Sequence, residues 1–512
     1  MANFKPDASF FKKIVFGVNG TQAICENLAE KGHNMVELER GSTTAKLWKE
    51  VKRKRVRLPD LVCKNCGLRV ESRAKTKPEL SMSHSDTDLE RSWDYGMLPD
   101  DLVAFPISVA ADEKLWTKGC FKNSASYWHE RNWAEWIVEG RINYFTVNSF
   151  RQHPPDTKTR KGVTEGSELT LAWKAKFATC SGNIENIEDT KIKIRPDNGR
   201  LRTLSLPSGI PIHVTEGKQV EKYQVLASSP LPLTKEQLRC SGHFADGFIQ
   251  NSLKSRERTV RFTGVKLCRL HQLTDYHSLV KDIANDPQED LYVRLEALAY
   301  LSAIRDTSLQ SLFDKYLNNT DDQIRLETVI TIGETGIPEA VKLLGAIMHD
   351  NKQPFFLRSA ASWSLGNIGT IDAQKMLKTA FSDVNWEIRE EALNALTSLG
   401  DVAHSVLLPG LKENNSDIAA GCAEAIRKIG IISPEIKNEL STLLQGRTPP
   451  QWVVWLAGLL NSQEMAEAID NIEGIDPKVN YAISLLCSFT HSWIARRWEF
   501  QTGINYPIRN DL

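Results

Sequence analysis

Glu387-Ile388-Arg389-Glu390-Glu391-Ala392-Leu393-Asn394-Ala395-Leu396-Thr397-Ser398-Leu399-Gly400 decides the fold of the C-terminal half. Ala392, Leu393, Ala395, Leu396 and Leu399 fall at helical spacing and make one apolar stripe. Gly400, like Gly366, Gly369 and Gly430, stands where a helix C-cap is expected. The opening recurs upstream at Tyr292–Ala297, Gln323–Thr328 and Phe356–Ala361, and downstream at Asp417–Cys422. Its arginine falls at 294, 325, 358 and 389, so the steps are 31, 33 and 31 residues, and Ala419 takes the slot 30 later. Polar turns such as Asn318–Asp322 and Asn414–Asp417 separate the copies. One such helix pair cannot bury its own face, so neighbours must stack as a solenoid. The arginines are expected to pair with Asp in adjacent turns.

These residues resemble HEAT repeats, of the short variety also seen in bilin-lyase-like proteins, over about 275–432. The resemblance implies an α-solenoid whose surface could face DNA or a protein partner. After Pro449-Pro450, helices are predicted at Trp452–Leu460 and Tyr481–Trp498, which would cap it.

Working outward, the chain has 512 residues, 41% hydrophobic and 25% charged, which excludes a disordered, collagenous or purely coiled-coil protein. The length suggests roughly three or four domains. Lys+Arg and Asp+Glu are equal at 64 each, so any electrostatic attraction must be local. Nine cysteines are too few for a disulfide scaffold and suit a reducing compartment. No apolar run approaches the length of a membrane span and no signal-peptide core opens the chain. A cytoplasmic protein without a membrane partner is the expectation.

Residues 165–235 alternate with period two. Leu169, Leu171, Trp173 and Ala175 share one parity before a turn at Gly182, and shorter runs follow at Lys191–Ile194, Leu204–Leu206, Ile212–Val214 and Gln224–Ala227. They read as short antiparallel strands. Gly217-Lys218-Gln219-Val220 followed by Gln224-Val225-Leu226-Ala227 resembles part of a barrel-sandwich hybrid, without the Asp-Lys-Ala attachment site of lipoyl domains.

Chemistry concentrates in the N-terminal region. A helix is predicted over Thr21–Lys31 with Thr21 as N-cap, Ile24, Leu28 and Ala29 as its stripe and Gly32 at its C-cap, then a strand with Met35, Val36 and Leu38. Pro59 to Lys75 reads as a β-hairpin with its turn at Lys64–Gly67. In that register Leu61 faces Val70 and Asp60 faces Glu71. Opposed like charges are destabilising, and a bound Mg²⁺ (or Mn²⁺) would relieve them. Alternation puts Glu71, Arg73 and Lys75 on one face. Two carboxylates and two cations on one patch suit metal-assisted phosphodiester hydrolysis.

The pattern resembles the PD-(D/E)xK nuclease superfamily over about 10–115. Pro59-Asp60 stands at the "PD" and Glu71-Ser72-Arg73 at the "ExK", the helix and the later strand Asp101–Phe105 fit the core, and Glu26 matches an acid some members add. The resemblance implies a metal-dependent endonuclease acting on DNA, of a kind that often serves restriction or antiviral defence. Asp60 and Glu71 would hold the metal, and Arg73 or Lys75 would steady the phosphate. The family lysine is Arg73 here, which cannot act as a base. A nucleic-acid partner is also suggested by a basic stripe: from Lys46 to Lys77, twelve Lys or Arg, including Lys52, Arg53, Lys54, Arg55 and Arg57, stand against Glu50, Asp60 and Glu71. The alternative is a non-catalytic HEAT scaffold with a nucleic-acid- or zinc-binding front module.

Cys63-x-x-Cys66-Gly67 has zinc-knuckle spacing, but one C-x-x-C is half a site. Cys240-x-x-His243 and Cys268-x-x-His271 are compatible halves; they could close a site together, or one could complete the first. Trp116, Tyr127, Trp128, Trp133, Trp136 and Tyr144 form an aromatic cluster in which Trp133, Trp136 and Ile137 have helical spacing, a core pattern, with base stacking as the sharper reading. The expected architecture is multidomain α+β: a nuclease-like α/β domain at 1–150, a β-rich domain at 151–272, HEAT-like repeats at 273–432 and a helical cap at 433–512.

Overall fold

The computed structural model describes residues 8–38, 58–110, 136–160, 169–197, 199–308, 311–430, 433–445 and 449–459. The basic residues Lys52, Arg53, Lys54, Arg55 and Arg57, the aromatics Trp116, Tyr127, Trp128 and Trp133, and the predicted helix Tyr481–Trp498 lie outside them.

The chain is mixed α+β, with β-sheets in its N-terminal half and a helical repeat array in its C-terminal half. Helix α1 spans Ala8–Ala29. Thr21 is therefore inside the helix and not at its N-cap; its hydroxyl donates to the Gly17 carbonyl one turn back (3.1 Å), the back-bonding that competes with capping for threonine. Strands β1 (Met35–Glu37), β2 (Leu61–Cys63), β3 (Arg69–Ser72), β4 (Leu80–His84), β5 (Leu102–Ala110) and β6 (Trp136–Thr146) follow. Trp136 thus begins a strand, contrary to its helical spacing.

Five strands form one sheet in the order β1-β2-β3-β5-β6. Only β3 and β5 run parallel in it. The hairpin register pairs Leu61 with Val70 and Val62 with Arg69, as the sequence predicts. Period two then divides the faces. Leu61, Val70, Leu102, Ala104 and Tyr144 pack with Ile24 and Leu28 of α1. On the other side Val62 joins Leu253, Phe262 and Val265 of the first array helices, and Phe105 and Phe145 pack with Phe150 and Trp173.

Strand β4 leaves this sheet and pairs with β8 (Leu169–Trp173), which also pairs with β7 (Thr157–Arg160). Strand pairing therefore runs across residue 150. A four-stranded sheet built from Gly182–Glu188, Lys191–Pro196, Arg202–Ser205 and Gln219–Val220 has its own core of Ile184, Ile192, Ile194 and Leu204.

In the array, longer helices (Leu291–Ala303, Asp322–Thr335, Phe355–Ile368, Trp386–Ser398, Ser416–Ile429) alternate with shorter ones (Ser311–Leu317, Val341–His349, Ile371–Thr379, His404–Gly410). An Asx side chain caps four of the longer helices: Asp290, Asp321, Asn385 and Asn415 each accept from the N–H two residues on. The arginine four residues after the cap position turns back to the end of the preceding short helix. Arg294 Nε donates to the Ala284 carbonyl (3.2 Å), Arg325 Nε to Leu317 (3.2 Å), Arg358 Nε to Met348 (2.7 Å) and Arg389 Nη1 to Asp383 (2.6 Å). A cation at a helix C-terminus meets both the orphan carbonyls and the macrodipole. The expected Asp pairing is present as well: Arg358 with Asp383 and Arg325 with Asp322.

Small residues set the spacing between the longer helices. Gly366 is not a cap; it lies inside Phe355–Ile368, and a Cβ there would come within 2.7 Å of the Ala395 Cβ. Gly369 and Gly430 are left-handed caps. The helix Gln451–Leu459 closes the described array against Ser416–Ile429.

A candidate metal centre

The β2–β3 turn is a knuckle. Gly67 N–H closes it on the Cys63 carbonyl (2.9 Å), and Cys63 N–H on that of Leu68 (2.8 Å). Gly67 has φ +79°, and any Cβ there would lie 2.3 Å from the Phe248 ring, so glycine is needed for both conformation and space. The knuckle presents Cys63 and Cys66 to two other segments. The turn after α1 is tied to it by Lys64 N–H donating to Asn34 O (2.7 Å), and the 230s loop is tied to that turn by Cys240 N–H donating to Lys31 O (3.0 Å).

These ties bring His33, Cys63, Cys66 and Cys240 together, with their four ligand atoms all within 4.8 Å of one another. Cys63 Sγ lies 3.9 Å from Cys240 Sγ, and Cys66 Sγ lies 3.6 Å from His33 Nδ1. A tetrahedral zinc with ordinary bond lengths has S–S edges of roughly 3.8 Å and S–N edges of roughly 3.6 Å. His33 Nε2 lies 3.0 Å from the Leu238 carbonyl. That carbonyl can only accept, so Nε2 carries the proton and Nδ1 is left as a ligand, the usual outer-shell arrangement of a metal-bound histidine. Gly242 N–H points at Cys240 Sγ (3.3 Å). The Cys66 thiol, more than His33, holds the Cys63 sulfur well below the ordinary thiol range. Three thiols and one imidazole are a soft, closed donor set, which suits a structural Zn²⁺ and leaves no open position for chemistry.

Among the described residues this is the one group of three or more His, Cys, Asp or Glu within reach of a shared ion. Of the zinc residues expected from sequence, Cys63, Cys66 and Cys240 converge and the others do not. His243 is exposed. Cys268 is fully buried in the array core, where burial pushes its thiol up to about 12. His271 Nε2 hydrogen-bonds the Lys64 carbonyl (2.8 Å), touching the knuckle from outside. His33 was missed by spacing arguments, since it has no Cys or His close by in sequence. The pairing of Met35 with Cys63 places it beside the knuckle, so strand register was the available signal.

The acid pair is built differently from expectation. Asp60 Oδ2 accepts from Ser72 N–H (2.7 Å), and Glu71 is ion-paired with Arg73 (2.9 Å). Arg73 also donates to Trp93 O (3.3 Å), and Lys75 Nζ to Ser81 Oγ (2.9 Å). Each carboxylate is thus met by a donor of the chain itself.

The array is where known proteins enter. Residues 309–397 match the family model described as HEAT repeats. This region is a HEAT-repeat array. Similar solved structures include human deoxyhypusine hydroxylase in complex with glycerol (17% identity, covering 46% of this chain and 83% of that one, TM-score 0.18). The CpcE–CpcF complex of phycocyanin lyase from Nostoc sp. PCC7120 is similar too (13%, 46% and 92%, TM-score 0.22), as is a mutant of Kap121p (10%, 49% and 38%, TM-score 0.24). No curated protein matches the chain. Among the described residues no helix is long and apolar enough to cross a membrane.

Proposed function

We propose that the chain is a HEAT-repeat scaffold for a protein partner, whose N-terminal α/β module is fastened to the array by a structural Zn²⁺ on His33, Cys63, Cys66 and Cys240. The convergence of those four ligand atoms, with Nδ1 of His33 left as the donor, carries the reading. Its placement explains the role. Cys63 ends β2 of the five-stranded sheet and Cys66 lies in the β2–β3 turn, while Cys240 precedes the helix Phe248–Leu253 that leads into the array. Polar contacts continue the same seam: Lys266 Nζ donates to Leu38 O (2.9 Å), Thr259 Oγ1 to Gly96 O (2.7 Å), and Arg258 bridges Glu90 and Asp290. When bound, the ion supplies no reaction here; it cross-links three chain segments. Metal analysis of the purified full chain should give one zinc per chain. A metal-free chain that takes up none in titration would overturn the reading.

A second reading is favoured by the placement of Asp60, just before β2, beside the β3 strand that carries Glu71, with Ser72 N–H donating to Asp60 Oδ2 (2.7 Å): a Mg²⁺-dependent nuclease of the PD-(D/E)xK type acting on DNA, with Arg73 or Lys75 on the phosphate. It requires Glu71 to exchange Arg73 for the ion. It expects Mg²⁺-dependent cleavage of DNA that disappears in both Asp60→Ala and Glu71→Ala; cleavage that survives either change, or never appears, removes it.

A further inference from the structure

Three thiols meet at the knuckle, and their sulfurs are not equivalent. Cys66 Sγ is turned to His33 Nδ1 (3.6 Å), whereas Cys63 Sγ is turned to Cys240 Sγ (3.9 Å). Backbone bonds hold that arrangement: Cys63 N–H donates to Leu68 O (2.8 Å) inside the knuckle, and Cys240 N–H donates to Lys31 O (3.0 Å) across to the turn after α1. The facing pair therefore joins segments 177 positions apart in the chain. A disulfide holds its sulfurs at about 2.05 Å, so a gap of roughly 1.9 Å has to close. Cys240 lies in a loop and is half-buried, while Cys63 is fully buried at the end of β2. An oxidant arriving from solvent thus meets Cys240 with Cys63 directly behind it. The other described cysteines lie outside this group, and Cys268 and Cys422 are sealed in the array core.

We infer that Cys63 and Cys240 are a redox-sensitive pair, which a peroxide joins in a disulfide that fastens the five-stranded sheet to the segment leading into the array. The Cys240 thiolate attacks one peroxide oxygen, the O–O bond breaks and hydroxide leaves, giving a sulfenic acid. The Cys63 thiolate attacks Cys240 Sγ, the S–O bond breaks and a second hydroxide leaves. Two protons from solvent turn both hydroxides into water, so two thiolates, one peroxide and two protons give one disulfide and two waters. The pair supplies two of the four donors, and its oxidation leaves only Cys66 and His33 for an ion. Oxidation thus exchanges a chelator-sensitive tie at the seam for a covalent one. The inference rests on the zinc reading only for the loss of the ion; the cross-link follows from the sulfur positions. The test exposes the reduced full chain to hydrogen peroxide, blocks free thiols with N-ethylmaleimide and digests with trypsin without reduction. Cleavage after Lys64 and Arg239 leaves Cys63, Cys66 and Cys240 on three separate peptides. The Cys63 peptide should be linked to the Cys240 peptide, reversibly by dithiothreitol, and should stay so in Cys66→Ser. Zinc, followed with a chromophoric chelator, should leave at one ion per disulfide. In EDTA the cross-linked chain should melt about 5 °C or more above the reduced chain. Linkage of Cys63 to Cys66, a cross-link that fails in Cys66→Ser, or maleimide on all three thiols overturns the inference. Zinc binding without the cross-link sinks this inference alone, and the cross-link in a chain that takes up no zinc sinks only the metal centre.

Discussion

Replacing Cys240 with alanine separates a structural zinc from a chance gathering of thiols. The change removes the one ligand that comes from the segment leading into the array and leaves His33, Cys63 and Cys66 on the sheet side. With free zinc buffered about 1,000-fold above Kd, binding stabilises the folded chain by about 4.1 kcal/mol. Altering a mere outer-shell partner of a metal ligand costs about 10–100-fold in affinity, so losing a ligand costs at least that, or about 1.4–2.7 kcal/mol at the same buffered zinc. For a unit of roughly 150–250 residues this lowers the zinc-dependent melting transition by about 3–10 °C. The lost contacts are otherwise small: Cys240 is only half-buried and its backbone bond to Lys31 O does not need the side chain. Without zinc, therefore, wild type and variant should melt together within about 1 °C. The assay is thermal unfolding at several buffered zinc levels, with competition against a chromophoric chelator for affinity. Equal zinc affinity in the two proteins, or an equal drop in melting temperature with and without zinc, would refute the assignment of Cys240 as a ligand.

Three further outcomes follow from the fold. Arg358→Ala removes one partner of a buried ion pair, whose side chains are 5% and 7% exposed, and uncaps the Met348 carbonyl; urea unfolding should show a loss of about 3–5 kcal/mol. Gly421→Ala places a Cβ 2.3 Å from the Phe381 ring and should cost about 1–3 kcal/mol by overpacking, with Phe381→Leu in the same chain recovering part of it. Burial lowers the pKa of His213 below its ordinary value, so the unfolded chain takes up a proton below about pH 6.5 while the folded imidazole stays neutral. Its contribution is therefore full above that pH and lost as pH falls through it; the urea midpoint should drop between about pH 7.5 and about pH 5.5, and His213→Gln should flatten that drop.

What was legible in the sequence was local. The array shows itself because five copies repeat one stripe, four of them with the arginine and four with an Asx cap, within about a helix pair of chain, and a period survives any uncertainty about single residues. The hairpin register was legible for the same reason: a turn of four residues fixes Leu61 against Val70. The zinc residues were legible only in part, because the second half of the site is remote. Cys63 and Cys240 are 177 positions apart, and spacing cannot choose Cys240 over Cys268 when both are followed by a histidine three residues later. Burial makes the choice: Cys268 faces the array core from inside a helix, whereas Cys240 sits in a loop free to turn its sulfur toward the knuckle. Trp136 was misread because three aromatic and aliphatic residues at 133, 136 and 137 fit a helix as well as the mouth of a long strand.

The acid pair shows how a sound local argument can still lack a participant. Opposed carboxylates on a hairpin do repel, and the observed pairs Leu61–Val70 and Val62–Arg69 fit the register that would oppose them. Strand alternation, however, delivers a cation to the same face two residues later, and Arg73 is that cation. Same-face neighbours on a strand lie about 6.6 Å apart, farther than a cross-strand pair, but the long Arg73 side chain reaches Glu71 directly (2.9 Å). Asp60 is met by a backbone N–H, a donor that no count of charged side chains includes. Like charges across a ribbon therefore point to an ion only after the same-face residues at two positions on either side, and the backbone donors of the partner strand, have been found unable to meet them.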